Sequence, residues 1–311
     1  MPAKVLLIGG TGFLGPAILE AFARAGQYAL YTLNRGTRPP LAGAAEQIVC
    51  DKNDRQAFAA ALRQRPWDIV VDTILTDQDI EFVVETAGAH IGRLIHAGSF
   101  GVYGDARRLP ASEALPLREG RGPAVVFNHK LRQDQAILRA FQERGFPGTI
   151  LRLSYIYGPG KVPLDGWGGR APEFFRMLRD GRQIALPNDG RALLQPGHVR
   201  DLGRAFPLAA AWPAACGQVY NIGGAQSLTM RDYLSLIADA MGVPLNLEFA
   251  APDEILARYP GLIDAVGMQF ACQHMCADCA KAGRDLGWRP AIALEDGLRE
   301  TVAWMREEKI I

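Results

Sequence analysis

The sequence predicts an α/β protein: a doubly wound parallel sheet with a second, smaller C-terminal domain. Three observations predict it. Up to about residue 160, short β-rich runs alternate with longer stretches whose apolar residues recur at helical spacing. The runs show no polar–apolar alternation, as expected of a parallel sheet buried on both faces. From Gly160 onward the rhythm changes and glycine and proline accumulate.

In chain order, the predicted strands are Val5–Ile8, Leu30–Leu33, Gln47–Val49, Ile69–Asp72, Leu94–Ala97 and Thr149–Leu153. Predicted helices between them are Pro16–Ala25, Asp54–Gln64, Asp77–Ala87 and Lys130–Arg144. Lys161–Arg170 reads as a loop, Pro172–Leu178 as a short helix and Gln218–Ile222 as one more strand. Ser227–Met241 and Leu294–Glu307 read as later helices. The expected division is a dinucleotide-binding domain over 1–160, with 198–224 returning to it, and a substrate domain over 161–197 and 225–311.

With 311 residues, 49% hydrophobic and 22% charged, the chain has the composition of a globular protein with ample core. A net charge of +1 gives no global attraction to nucleic acid or to a membrane surface. No apolar run approaches the roughly 18 residues that span a bilayer. The N-terminus lacks a signal-peptide pattern, and the cysteine count of 5 is odd, so a reducing cytoplasm is the expected location.

Chemistry first appears in Gly9-Gly-Thr-Gly12-Phe-Leu-Gly15, which lies between a predicted strand and a predicted helix. One glycine makes the tight turn, another admits a pyrophosphate to the backbone, and the last lets helix and strand pack closely. Amides at the helix start, with the helix dipole, favour phosphate charge. At the end of the second strand, where an acid would take the ribose hydroxyls of NAD, stands Asn34-Arg35-Gly36, with Arg38 close behind. An arginine pairs well with a 2′-phosphate, so NADP is the expected cofactor; the plainer alternative is a solvated arginine.

Further segments, quoted together, resemble the extended short-chain dehydrogenase/reductase family, the NAD(P)-dependent epimerases and dehydratases with a Rossmann sheet. They are Asp51 after the third strand, Ser99-Phe-Gly-Val-Tyr103-Gly104, Leu151–Pro159, His198-Val-Arg-Asp201, Tyr220–Gly224, Asp278-x-x-Lys281 and Leu286-Gly-Trp288. The resemblance implies a cofactor set of Gly9, Thr11, Gly12, Phe13, Leu14, Gly15, Asn34, Arg35, Asp51, Asp72, Thr73, Ile74 and Lys130. It also implies three catalytic roles: a serine that fixes the substrate oxygen, a tyrosine that moves the proton, and a lysine four residues later that holds the ribose. Ser99 matches the serine and Lys130 the lysine. The tyrosine position is then Val126, and no tyrosine occurs between Tyr103 and Tyr155. His129, Tyr103, Tyr155 and Tyr157 remain as candidate proton carriers, each with packing or solvent contact as its plain alternative.

Leu33–Gly36 and His129-Lys130-Leu131 are similar to the chloroplast stem-loop-binding proteins and their bacterial relatives, some of which contact RNA. Sugar-nucleotide enzymes of the family carry an arginine five residues before the valine of the His-Val motif; here Leu194 holds that place and Arg191 is three residues earlier. The loop bearing Lys161, Trp167 and Arg170 is expected over the substrate, although Trp167 could equally anchor a core. Cys272, His274, Cys276 and Cys279 are too cramped for tetrahedral zinc and no metal is expected. The expected function is an NADP-dependent oxidoreductase or epimerase/dehydratase-type enzyme acting on a hydroxyl- or carbonyl-bearing small molecule, working as a homodimer without membrane or nucleic-acid partners. The alternative is a non-catalytic NAD(P)-binding regulator or RNA-binding protein.

Overall fold

Val5, Leu6, Leu7 and Ile8 are all at most 1% exposed, so the first strand runs through the centre of the molecule. The structure, a computed structural model, describes residues 1–104, 106, 108–117, 119, 125 and 127–311. In chain order its first half contains β1 (Ala3–Ile8), α1 (Leu14–Ala25), β2 (Tyr28–Asn34), β3 (Glu46–Val49), α2 (Arg55–Arg63), β4 (Ile69–Asp72), α3 (Asp77–Ala87), β5 (Leu94–Ser99), α4 (Asn128–Arg144) and β6 (Gly148–Leu153). These match the predicted elements to within a few residues. Local chemistry sets the ends: Gly26 closes α1 at φ 75°, Asp54 caps α2, and Thr76 with Asp79 forms a capping box on α3.

The second half continues with β7 (Ile156–Tyr157), α5 (Pro172–Arg179), β8 (Ile184–Pro187), β9 (Leu193–Leu194), β10 (Gly197–His198), α6 (Val199–Ala211), β11 (Val219–Ile222), β12 (Leu228–Thr229), α7 (Met230–Met241), β13 (Leu247–Ala250), α8 (Pro252–Arg258), α9 (Ala265–Ala271), α10 (Ala280–Leu286) and α11 (Leu294–Glu307). Seven parallel strands form one sheet in the order β11-β6-β5-β4-β1-β2-β3. α1 and α6 pack together on one face, where a Cβ on Gly203 would lie 2.8 Å from the Ala17 backbone. Phe58, Val83 and Ile137, from α2, α3 and α4, join the core on the other face. Register aligns the strand ends: Ile8 lies opposite Leu33 and Asp72, and Ser99 opposite Leu153. Every loop that follows these residues therefore opens onto one edge, the edge where doubly wound sheets bind ligands.

A separate apolar core gathers Trp167, Phe174, Phe175, Tyr233, Leu234 and Leu298. Asp201 ties the tail to α6, since its Oδ2 accepts the Ala291 and Ile292 amides at 2.9 Å and its carbonyl accepts Trp288 Nε1. The helix expected from Ser227 starts only at Met230, because Leu228–Thr229 pairs antiparallel with β9 and Thr229 caps α7. The pairing of β8 with β13 is not legible in the sequence: four-residue strands whose partners lie 63 residues apart carry too little local pattern.

Candidate functional site

The glycine loop turns directly off β1. Gly9 has φ +84°, and a Cβ there would come within 2.5 Å of Ile74. At Gly15 a Cβ would lie 1.7 Å from the Gly10 carbonyl oxygen, so strand and helix approach each other only because it is glycine. Gly12 differs from both. It has no positive φ, and a Cβ built on it meets nothing within 4 Å. α1 starts after Phe13 with no capping side chain and no acid in its first turn, which leaves its leading amides to an outside acceptor.

Gly9, Gly12, Phe13, Leu14, Gly15, Thr73 and Ile74 line a cavity of about 430 Å³ together with Ser99 and Lys130. Thr73 is held there by its Oγ1, which donates to the Ile8 carbonyl at 3.2 Å. Ser99 Oγ accepts the Gly101 amide at 3.1 Å. Lys130 Nζ lies 3.5 Å from the Ala97 carbonyl; burial pushes its pKa down, opposed by the charges of Asp72 and Asp134. The far wall is Tyr155, a candidate from the sequence, with Ser154 beside it after β6 and Phe270 and Met275 from the C-terminal part, three residues the sequence did not single out. Ser154 is 5% exposed and its hydroxyl has no partner among the described residues. Its place just past a strand's carboxyl end was the one available signal.

Other expected residues stand elsewhere. Asn34 is buried, its Oδ1 accepting Gly36 N at 2.9 Å and Gln47 Nε2 at 2.7 Å, and its Nδ2 has no partner among the described residues. Arg35 is exposed, whereas Arg38 Nη1 reaches back to the Thr11 carbonyl at 2.8 Å. Asp51 is exposed and accepts its neighbour Asn53 N. Asp72, expected in the cofactor set, is fully buried and is not among the residues that line the cavity. Its Oδ1 accepts the Ile74 and Leu75 amides, and its Oδ2 meets His96 Nδ1 at 2.6 Å.

The proton-carrier candidates also sort by geometry. Tyr103 is corrected: it is 4% exposed, donates to Asn221 Oδ1 at 2.8 Å and accepts Arg152 Nη1 at 2.6 Å, outside the cavity. Burial raises its pKa, with Arg152 opposing. Tyr157 is buried against His198 and burial raises it strongly. Tyr155 borders the cavity, but its hydroxyl accepts the Leu164 amide and burial raises it too. His129 is exposed and does not line the cavity. Val126, the position of the family tyrosine, lies outside the described residues.

The 161–170 loop divides. Lys161 and Arg170 face the cavity, while Trp167 is a core anchor, 1% exposed with Nε1 donating to the Ala185 carbonyl. Arg191 is exposed beside Asp189, and Leu194 is buried against Met275. Cys272, His274, Cys276 and Cys279 do not converge: among the described residues no group of three or more His, Cys, Asp or Glu is placed to hold a metal. His274 Nδ1 accepts the Leu193 amide, and burial pushes the Cys279 thiol up to about 12. Among the described residues no helix is long and apolar enough to cross a membrane.

Residues 5–223 match the family described as NAD dependent epimerase/dehydratase. The chain belongs to that family. It is 30% identical over 318 residues to the chloroplast stem-loop binding protein of 41 kDa b from Arabidopsis thaliana, covering 96% of this chain and 78% of that one. A dTDP-glucose 4,6-dehydratase of Actinoplanes is 30% identical over 220 residues, 71% of this chain and 62% of that enzyme. Among solved structures, the dTDP-glucose 4,6-dehydratase DesIV of Streptomyces venezuelae, with NAD bound, superposes at TM-score 0.77 and 24% identity over 98% of each chain. The UDP-glucose 4-epimerase of Thermotoga maritima gives 0.76 at 19% identity, over 98% of this chain and 99% of that one. At these identities the structures speak for the fold.

Proposed function

We propose that the chain binds NADP along the glycine loop and acts on a hydroxyl- or carbonyl-bearing small molecule as an oxidoreductase or epimerase/dehydratase-type enzyme. One observation carries the cofactor part: Gly12 faces the cavity with open space where its Cβ would be. Neither backbone strain nor protein packing requires glycine there, and a pyrophosphate drawn close to the backbone does. The uncapped amides at the start of α1 supply the matching donors. NADP is favoured over NAD because β2 ends in Asn34 with no acid, beside two arginines, Arg35 and Arg38.

When bound, the cofactor supplies hydride transfer. The chain supplies orientation and charge. Ser99 Oγ is engaged as an acceptor by Gly101 N, which leaves its O–H for a substrate oxygen. Lys130, half-buried and under the influence of the Asp72 and Asp134 charges, presents an ammonium to ribose hydroxyls. With Tyr103 committed to Arg152 and valine at 126, the chemistry proceeds without the family's tyrosine. The division into 1–160 with 198–224 for cofactor, and 161–197 with 225–311 for substrate, belongs to the same proposal, as do a homodimer and a cytoplasmic location.

The likeness to the Arabidopsis stem-loop binding protein supports a second reading, an NAD(P)-binding protein that contacts RNA with little turnover. Calorimetry with NADP and NADPH, followed by a screen of carbonyl compounds for loss of nicotinamide absorbance, separates the two. Binding with turnover that falls in Ser99→Ala and Lys130→Met supports the enzyme. Tight binding without turnover, together with retention of a stem-loop RNA, supports the second reading. Absence of heat with either nucleotide on folded protein removes both.

A further inference from the structure

A carbonyl that becomes a hydroxyl gains a proton at oxygen, so a group able to supply one must reach the cavity. Among the described residues, the titratable side chains lining it are Lys130, Tyr155, Lys161 and Arg170, with no aspartate, glutamate, histidine or cysteine. Tyr155 is spent, since its hydroxyl accepts the Leu164 amide and burial keeps its own proton on. Arg170 donates to the Val162 and Ile156 carbonyls, and an arginine does not release a proton inside a protein. Two lysines remain, and their neighbours differ. Lys161 follows Gly160, whose Cβ would lie 3.5 Å from the Phe13 ring, so it stands by the glycine loop. Lys130 Nζ lies 3.5 Å from the carbonyl of Ala97, two residues before Ser99 on β5.

Lys130 is a half-buried cation without a close counter-charge. Among the described residues its one hydrogen bond is the long contact with Ala97, and it forms no ion pair. Burial pushes its pKa down while the charges of Asp72 and Asp134 oppose, so those acids hold the ammonium proton from a distance. Both acids already have partners. Asp134, one turn along α4, takes Arg152 Nε of β6 at 2.8 Å, and Asp72 of β4 meets His96 Nδ1 of β5 at 2.6 Å. Turning Lys130 into a neutral amine therefore breaks no buried ion pair, which is the costly event when a buried charge changes. The neighbouring charges keep their partners in either state.

We propose that Lys130 itself carries the proton to and from the substrate oxygen, the task that the family gives to the tyrosine four residues earlier. Val126 holds that place here. In reduction the carbonyl carbon receives a hydride from the reduced nicotinamide. The carbonyl's π pair, moved onto oxygen, takes a proton as an Nζ–H bond of Lys130 breaks and an O–H bond forms. An alcohol and a neutral amine result, and the amine regains its proton from solvent. Oxidation runs the same transfers backward: the amine takes the hydroxyl proton while the hydride leaves for the oxidised nicotinamide. Ser99 O–H holds the same oxygen in both directions. This role rests on the enzyme reading above and adds to it, because there Lys130 only holds the ribose.

Lys130→Arg keeps a cation and its hydrogen-bond donors but has no proton to give. Its NADPH affinity, read by fluorescence quenching, should hold within about threefold of wild type. Its turnover of benzaldehyde, glyceraldehyde and other carbonyl compounds with NADPH should fall about tenfold or more, and about a hundredfold where proton transfer limits the rate. Two further readouts tell proton transfer from mere placement. The wild-type reduction rate falls as pH rises through the lysine's pKa, and Asp134→Asn, which removes a charge holding the proton, moves that limb to lower pH. Asp72→Asn moves it the same way and serves if Asp134→Asn fails to fold. Lysine labelled at Cε, followed by NMR on the protein alone, should show one signal, identified by its absence from Lys130→Arg, that titrates below the usual value of about 10.4. Four outcomes overturn the proposal and leave the enzyme reading standing. They are Lys130→Arg turnover within about tenfold of wild type, NADPH affinity that falls as far as turnover, a pH limb that neither variant moves, and a Lys130 signal at the ordinary lysine value. Wild-type protein that reduces none of the carbonyl compounds removes the enzyme reading and the proposal together.

Discussion

Asp72 and His96 meet at 2.6 Å, carboxylate to imidazole, with neither side chain exposed at all. Asp72 also accepts two amides of the turn after β4, the turn that sets Thr73 and Ile74 against the glycine loop. His96 Nε2 has no partner among the described residues, so Nδ1 is the ring nitrogen that ties the histidine to the turn. Asp72→Ala strands two buried partners, the Leu75 amide and His96 Nδ1, and the part-buried Ile74 amide, and is expected to cost about 3–5 kcal/mol in urea unfolding. Asp72→Asn, which keeps acceptor capacity, should cost about 1–2 kcal/mol. Equal and small losses in both would show that the pair does not hold the turn.

Gly12 and Gly15 separate binding from folding. Gly15→Ala drives a methyl into the Gly10 carbonyl and should unfold or grossly destabilise the protein. Gly12→Ala meets open space, so its stability should stay within about 0.5 kcal/mol of wild type. Its NADP affinity should nevertheless fall tenfold or more. Thermal melting and calorimetry on the two variants test the contrast, and unchanged affinity in Gly12→Ala would remove the pyrophosphate from that position.

Asp79 predicts an acid limb. Burial acts to raise its pKa, but hydrogen bonds from Lys52, Thr76 and Arg55 outweigh this and hold the carboxyl below its usual value. The Lys52 contact is 2.5 Å and the Arg55 contact 2.7 Å. A lowered folded pKa means the stabilisation is complete above the unfolded value near 4 and is lost as pH falls through the folded one. Asp79→Asn should cost about 1–2 kcal/mol at neutral pH and less as the pH drops below about 4. Urea midpoints across that range that run parallel for the two proteins would contradict it.

Tyr103 supports structure rather than proton transfer. Tyr103→Phe leaves Arg152 Nη1 and Asn221 Oδ1 without their hydroxyl and should cost about 1–3 kcal/mol. Turnover at a temperature where the variant is folded should stay near wild type. A loss of kcat beyond tenfold with intact stability would return this tyrosine to the reaction.

Strand and helix patterns in the first half were readable because each parallel strand is an apolar run and each helix repeats its apolar face. Asp77–Ala87 and Leu294–Glu307 came out with their observed ends. The glycine spacing marked the phosphate loop for a similar reason, since turn, close approach and packing each demand a residue without a side chain. Where the polar side chains point was not readable. Asp72 and Tyr103 look like site residues along the chain, yet both turn inward to partners 24 and 118 residues away in sequence. Ser154, Phe270 and Met275 reach the cavity only because β6 ends at the same edge and the tail folds over it.

Local pattern thus determined the layered sheet, its glycine loop and the missing acid after β2, because those depend on residues adjacent along the chain. Tertiary structure alone decided which charges face the cavity and which are spent on partners. A side chain's direction is set by long-range packing and hydrogen bonding, which no short window of sequence contains.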